Sequence, residues 1–223
     1  VLDALLLTGN GLMRAEGMTY NYIQGKYSLG NLFAQVYVNM QDAGDTQQLF
    51  GNDELIVDNS QKIVAELQHS TQIGLMQNFV YGVDVQLTRP DTDGTIMGVN
   101  EDDDEVDEYG AYLQSETSLW GGFMKVILAG RLDKHSHLDG VIFSPRAGVT
   151  ISPAEEHNFR FMFNRAYSTP TVQHLFADMM FHENLFHLPD QFALGLRTSG
   201  TPTSGYSFAR QNGKLLFYSH YSP

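Results

Sequence analysis

An alternation of apolar and polar residues, which recurs about eight times along the chain, constrains its fold more than any other feature. The clearest run covers residues 32–41. One side of this run is entirely apolar and consists of Leu32, Ala34, Val36, Val38 and Met40. Successive side chains of a β-strand point to opposite faces of the sheet. The pattern therefore predicts β-strands with one apolar face.

The alternating runs place strands at regular intervals. They lie near 19–28, 31–42, 60–70, 73–87, 107–118, 121–133, 142–152 and 157–167. Short links at 29–30, 71–72, 119–120 and 152–156 alternate with long polar links at 43–59, 89–106, 134–141 and from 168 onward. This order is typical of an up-and-down meander with tight turns on one rim and long loops on the other.

The length of the runs indicates where such a meander would fold. Strands of globular proteins average about 5–6 residues, whereas tilted strands that cross a membrane need about 9–11. The runs here have about 10–14 residues, which favours the second class. The predicted fold is all-β: an antiparallel up-and-down transmembrane β-barrel segment of about eight or nine long strands, forming part of a barrel. A soluble barrel or β-sandwich is the alternative, because alternation alone looks the same in both.

Composition excludes several functions. The net charge is −13, which argues against a nucleic-acid partner, and there is no cysteine for thiol chemistry. No apolar run approaches the roughly 20 residues of a spanning helix. Neither a Gly-x-Ser-x-Gly elbow nor a His-Glu-x-x-His helix occurs. We therefore predict a protein that is not an enzyme and has no cofactor.

Two loop regions contain candidate ligands. Acidic residues crowd the link around 100–108, where Asp102, Asp104 and Asp107 are candidates for calcium, although a solvated loop is the favoured interpretation. His174, His182 and His187 lie among Phe and Met residues of the last link. They are candidates for capturing haem or an iron chelate, with packing within the loop as the favoured alternative. His135 and His137 are expected to be exposed to solvent.

The last third of the chain carries four motifs in a fixed order. They are G-R-L-D at 130–133, F-S-P-R at 143–146, N-F-R at 158–160 and N-R-A-Y-S-T-P-T at 164–171. In this order and at hairpin spacing they resemble the barrel of TonB-dependent receptors, over about residues 60–176. The resemblance implies about 22 strands around a lumen that is filled by a plug. Residues 1–223 would then be one barrel domain without its plug and its closing strands.

The resemblance also implies a function and a location. We expect a receptor of the Gram-negative outer membrane that imports a scarce nutrient, foremost an iron–siderophore complex. Cobalamin, haem, an oligosaccharide or a peptide are alternative substrates, and a porin-like channel is disfavoured by the motif order. The expected partners are membrane lipid, the plug, the periplasmic protein TonB acting through the plug, and the nutrient chelate.

The alternation assigns the two faces of such a barrel. Ile63, Val83, Val126 and Phe161 are predicted to face lipid. The charged residues predicted to line the lumen are Glu66, Asp84, Arg131, Asp133, Arg146 and Arg160. Contact with the plug or the conduit is the functional interpretation of these charges, and cross-strand pairing that fixes the register is the favoured alternative.

Overall fold

The computed structural model describes residues 2–8, 11–48, 55–154, 156–182, 189, 195–201, 210–211 and 214–215. The strands within these ranges are β1 (Leu2–Thr8), β2 (Gly11–Leu29), β3 (Leu32–Asp42), β4 (Gln47–Gln48), β5 (Gln61–Ile73), β6 (Gln77–Arg89), β7 (Val106–Leu119), β8 (Met124–His135), β9 (Ile142–Ala154), β10 (His157–Asn164), β11 (Asp178–His182), β12 (Leu196–Ser199), β13 (Arg210–Gln211) and β14 (Lys214–Leu215). One α-helix, α1 (Val172–Phe176), precedes β11. No helix of the described residues has the length and apolar character needed to cross a membrane.

The long strands form one antiparallel sheet in sequence order. From β1 to β10 each strand pairs with the next, except that the short β4 pairs with β2 and so leaves β3 beside β5. The sheet is open in the described part of the chain, with β1 and β10 at its edges. The predicted all-β meander of long strands is confirmed.

The structure corrects several predicted boundaries. β1 was not predicted, and β2 begins at Gly11 rather than near residue 19. The turn predicted at 71–72 is wrong, because β5 continues to Ile73 and the chain reverses at 74–76. Gly74 has a φ of +61° there, a conformation that glycine adopts without strain. The long polar link predicted from 168 onward also contains α1 and four short strands.

β1 has a different place from the other long strands. It pairs only with the first half of β2, from Gly11 to Met18, whereas residues 19–29 of β2 pair with β3. The hairpin of β1 and β2 therefore extends past the end of β3 on the side of the long links. We call residues 19–29 of β2 together with β3 and β5–β10 the wall.

The register gives the wall one polar and one apolar face. Directly paired residues share a face, and Glu66, Asp84 and Gly110 form one such row across three strands. The opposite face is apolar, and its large side chains are half exposed, as with Val83 at 53% and Phe161 at 65%. The wall thus buries little of its apolar face within the chain, and the buried hydrophobic cluster of the described residues lies elsewhere.

That cluster lies where the long links meet. It consists of Ile56, Ile96, Met97 and Met179, and Val172 and Phe176 pack against it. We call the segments that meet there, residues 43–48, 55–60, 90–105, 136–141, 165–182 and 195–201, the cap.

Candidate functional site

An arginine on the polar face ties three strands of the wall together. Arg131 on β8 donates from Nη1 and Nη2 to the two carboxylate oxygens of Asp84 on β6, at 2.7 and 2.9 Å. Its Nε donates to Oδ1 of Asp133 at 2.7 Å. Bidentate pairs of this kind are stronger and more directional than neutral hydrogen bonds. Arg131 is therefore occupied by two carboxylates within the wall.

Arg131 reaches Asp84 only because the strand between them carries a glycine. Gly110 on β7 pairs directly with Asp84 and with Asp133. A Cβ atom on Gly110 would overlap Nη2 of Arg131 and would lie 2.6 Å from Oδ2 of Asp84. The missing side chain is thus the space through which the guanidinium crosses β7.

A second crossing has the same construction one strand over. Tyr112 on β7 extends across Gly82 on β6, where a Cβ atom would lie 2.6 Å from the tyrosine hydroxyl oxygen. That hydroxyl lies 3.1 Å from Oε1 of Glu66 and 2.9 Å from Oε1 of Gln68, both on β5. Glu66 and Asp84 are therefore held by side chains from strands that are not their neighbours. We call these two crossings the braces.

The sequence indicated only part of the braces. Glu66, Asp84, Arg131 and Asp133 were assigned to one face, and the register puts them on the same face. Arg131 forms a cross-strand contact with Asp84, and the role of these charges, contact with a plug or fixing of the register, stays a prediction. Tyr112, Gly82 and Gly110 were missed. The available signal was a glycine at two polar-face positions in the middle of otherwise regular strands, where glycine weakens a strand unless something needs the space.

Arg146 and Arg160 differ from Arg131. The register puts both on the polar face, Arg146 opposite Ala129 and Arg160 opposite Thr150. Both residues are exposed, and neither forms an ion pair with any other described residue. They leave two positive charges available on the polar face, one on β9 and one on the edge strand β10.

The cap contacts the polar face through Glu108, near the start of β7. Thr169 donates its hydroxyl to Oε1 of Glu108 at 2.8 Å, and the amide of Gln86 on β6 donates to the other oxygen. A pocket of about 320 Å³ lies between the wall and the segment 166–169, lined by Arg131, Asp133 and Tyr167 among others. The segment that follows β10 therefore folds back over the polar face.

Polar contacts join the cap across long stretches of sequence. The backbone N–H of Val99 donates to Oδ2 of Asp178 at 3.1 Å, and Arg197 donates to both oxygens of that carboxylate. The hydrogen bonds from Arg197 lower the pKa of Asp178. The amide of Asn100 donates to the carbonyl of Phe176 at 2.8 Å. Asp178 thereby fixes β11 and β12 against the link 98–100.

The acidic link does not gather its predicted calcium ligands around one point. Asp107 pairs with Nη1 of Arg89 at 2.7 Å, whereas Asp104 is 1% exposed and its Oδ2 has no partner among the described residues. Burial, and after it the negative charge of Glu101, raises the pKa of Asp104 to about 6. Burial also acts to raise the pKa of Glu101, but the hydrogen bonds from Thr92, Gly94 and Asp93 together outweigh it, so that this pKa is lowered. No group of three or more metal-ligating side chains occurs among the residues that the structure describes, and calcium binding stays a prediction.

The histidines have different surroundings. His174 is exposed and caps α1, because its N–H donates to Oγ1 of Thr171 and its Nδ1 accepts from the Thr171 N–H. The side chain of His182 and the whole of His187 lie outside the described residues. The expectation that His135 is exposed is wrong: it is 1% exposed, and its Nδ1 accepts from the His137 N–H at 3.1 Å. His137 is half-buried, with its ring edge-on against Phe176 at 4.8 Å between centroids.

Comparison with known proteins shows which protein family the sheet resembles. A family model described as "TonB dependent receptor-like, beta-barrel" matches residues 5–215, which include the whole wall and the whole cap. The resemblance predicted from the motifs between residues 60 and 176 is confirmed, and the match extends it in both directions. None of the curated proteins and none of the solved structures compared with the chain gave a match.

Proposed function

Because the chain belongs to the β-barrel family of TonB-dependent receptors, which are transporters of the outer membrane, we propose that it imports an iron–siderophore complex by energy-coupled passage through a plugged barrel. Family membership is the observation that carries this proposal. The polar face fits a wet conduit, since it bears charged side chains in ion pairs and others left exposed. The role is transport and requires no chemical step on this face.

The proposal fixes the orientation of the wall. Its apolar face is turned to lipid, because only lipid or detergent would cover the half-exposed side chains of Val83, Phe161 and their neighbours. Its polar face is turned to the lumen, since an arginine on the lipid face near the membrane midplane costs about 2–4 kcal/mol. Glu66, Asp84, Arg131 and Asp133 then line the lumen as parts of the wall.

In this proposal, Arg146 and Arg160 contact the plug. Both are exposed on the polar face and form no ion pair with the described residues, whereas Arg131 is occupied by two carboxylates. An acidic or carbonyl-rich surface of the plug would supply acceptors for the two guanidinium groups. TonB acts on the plug and has no contact with the wall in this proposal.

Cysteine labelling of the intact receptor in membranes tests the orientation. The chain contains no native cysteine, so single replacements can be compared directly. A water-soluble maleimide is expected to react at least tenfold faster at position 84 or 160 than at position 83 or 161. Faster reaction at 83 and 161 would reverse the two faces and refute the orientation.

Charge reversal tests the plug contact. In Arg146→Glu and Arg160→Glu receptors we expect uptake to fall at least fivefold, because the plug would meet a like charge. Arg146→Lys and Arg160→Lys keep the charge and should retain most of the uptake. Heat-dependent migration of the barrel on gels reports whether each variant is folded. Unchanged uptake in both folded Glu variants would remove these residues from the plug contact.

The substrate is tested by uptake in cells that lack the receptor. Deletion of the receptor should abolish uptake of one radiolabelled ferric siderophore and leave uptake of labelled cobalamin, haem, oligosaccharides and peptides unchanged. Loss of TonB should also abolish uptake of that ferric siderophore. Loss of one of the latter instead, with ferric siderophore uptake intact, would replace the iron chelate by that alternative substrate.

A further inference from the structure

The apolar face of the wall contains a furrow rather than an even surface. A pocket of about 770 Å³ opens there between β7 and β10. Its lining is mainly apolar and includes Leu113, Leu128, Gly130, Leu132, Pro145 and Ala147. The volume falls in the range of about 300–1,000 Å³ that is typical of sites for small molecules.

The furrow results from small residues in adjacent strands. Gly130 pairs directly with Leu113 on one side and with Pro145 on the other, so the middle of this row has little side-chain volume. Leu128 and Leu132 stand on either side of Gly130 on the same strand. Phe143 leans over this floor, since a Cβ atom on Gly130 would lie 2.8 Å from its Cε2 atom. The furrow is therefore encoded by the order of side-chain sizes.

The position of the furrow restricts what can occupy it. Gly130 lies midway along β8, between the turn that precedes Met124 and the cap that follows His135. In the proposed orientation this places the furrow near the middle of the lipid bilayer, away from head groups and water. At that depth the available molecules are the hydrocarbon tails of lipids.

We propose that the furrow holds one acyl chain of a membrane lipid for longer than the rest of the apolar face holds its lipids. The inference rests on the proposed orientation of the wall. An empty furrow would forfeit the dispersion contacts of the side chains that line it, and a flexible chain of methylene groups can follow its irregular floor. Leu132 and Phe143 beside it are 50% and 54% exposed, so they offer contact area to such a chain.

Photo-crosslinking of the intact receptor tests the proposal. The receptor is placed in phosphatidylethanolamine vesicles that contain a trace of a phospholipid with a diazirine near the end of one acyl chain. After irradiation and proteolysis, mass spectrometry maps the labelled residues. We expect at least fivefold more label at residues 128–147 than on the apolar face of β3. Replacing Ala147 by Trp should fill the furrow and reduce that label at least threefold.

Ala34→Trp is the matched control, because Ala34 also lies on the apolar face but outside the furrow. It should leave the label at 128–147 unchanged. Label spread evenly over the apolar face of the unmodified receptor would overturn the furrow while keeping the orientation. Label absent from the entire apolar face would overturn the orientation itself. Label absent only at 128–147, together with a crosslinked dimer, would assign the furrow to a second copy of the chain and overturn the lipid proposal.

Discussion

The wall and the cap are held together in different ways. Strands of the wall pair with strands that follow one another in sequence, and their hydrogen bonds follow from one repeated pattern. In the cap, Val99 is bonded to Asp178 and Asn100 to Phe176, at separations of 79 and 76 residues. The wall therefore depends on a periodic pattern that tolerates many single changes, whereas the cap depends on a few particular pairs.

The braces are the exception within the wall, and the largest effect is expected there. Gly110→Ala should lower the free energy of unfolding by about 2 kcal/mol, because the added methyl group displaces Arg131 from Asp84 and leaves partly buried charges unpaired. Urea unfolding of the receptor in detergent measures the change.

Gly25→Ala is the control for this substitution. Gly25 lies in β2 with only Cγ1 of Val36 near its missing Cβ, at an ordinary contact distance of 3.7 Å. Its replacement should be neutral or slightly stabilising, since alanine reduces the freedom of the unfolded chain. Equal losses for the two variants would show that the space at Gly110 has no special role.

Asp178→Ala tests the cap. We expect it to destabilise the cap locally by about 1–2 kcal/mol, because it removes the acceptor for Arg197 and for the Val99 N–H. Hydrogen exchange should accelerate at 96–100 and at 178–180 while the amides of β5–β8 keep their protection. Asp139→Asn, at an exposed position of the cap, should leave both regions unchanged. Faster exchange throughout the wall would mean that cap and wall unfold as one unit.

The smallest effect concerns pH. The pKa of Asp104 is raised to about 6 in the folded cap, so the folded state holds a proton that the unfolded chain releases at lower pH. The stability that this proton contributes is complete below about pH 4 and is lost as the pH rises through 6. The pKa values of Glu101 and Asp178 are lowered. The stability that these two carboxylates contribute is lost only when the pH falls below the ordinary pKa of a carboxyl group, so it does not change between pH 5 and 7.5.

Asp104→Asn should remove this pH dependence. Compared with the unmodified receptor at the same pH, exchange at Ile96 and Met97 should be slower by a few-fold at pH 7.5 and equal at pH 5. A shift of one pKa unit corresponds to about 1.4 kcal/mol, and an effect near 1 kcal/mol is expected. The same difference at both pH values would mean that protonation of Asp104 does not control the cap.

The same contrast explains how much of the molecule the sequence predicted. The strand near 31–42 is confirmed as β3, Leu32–Asp42. A strand with one face that is buried or covered by lipid has an apolar side chain at every second residue, and this pattern can be read from the sequence. The turn at 71–72 was misplaced because polar residues there imitate a turn, although the backbone conformation required for the reversal occurs at Gly74.

For the candidate site, the sequence predicted the face on which a side chain lies but not its contacts with other strands. The face of Arg131 follows from alternation, but its choice of Asp84 depends on Gly110 in the intervening strand. The burial of His135 depends on cap segments whose arrangement has no local pattern. Alternation gives the direction of a side chain and carries no information about the partner at its end.

The hydrogen bond between Thr169 and Glu108 would transmit force from the cap to the wall. A pull on the segment after β10 would reach the wall at the start of β7, where Glu108 also accepts the amide of Gln86. β7 pairs with β8 from Glu108 to Leu119, so a force along the strand is shared by many parallel bonds. One hydroxyl bond is far weaker than that ladder. The junction would act as a mechanical fuse: it breaks before the ladder of β7 and β8, and the wall keeps its shape.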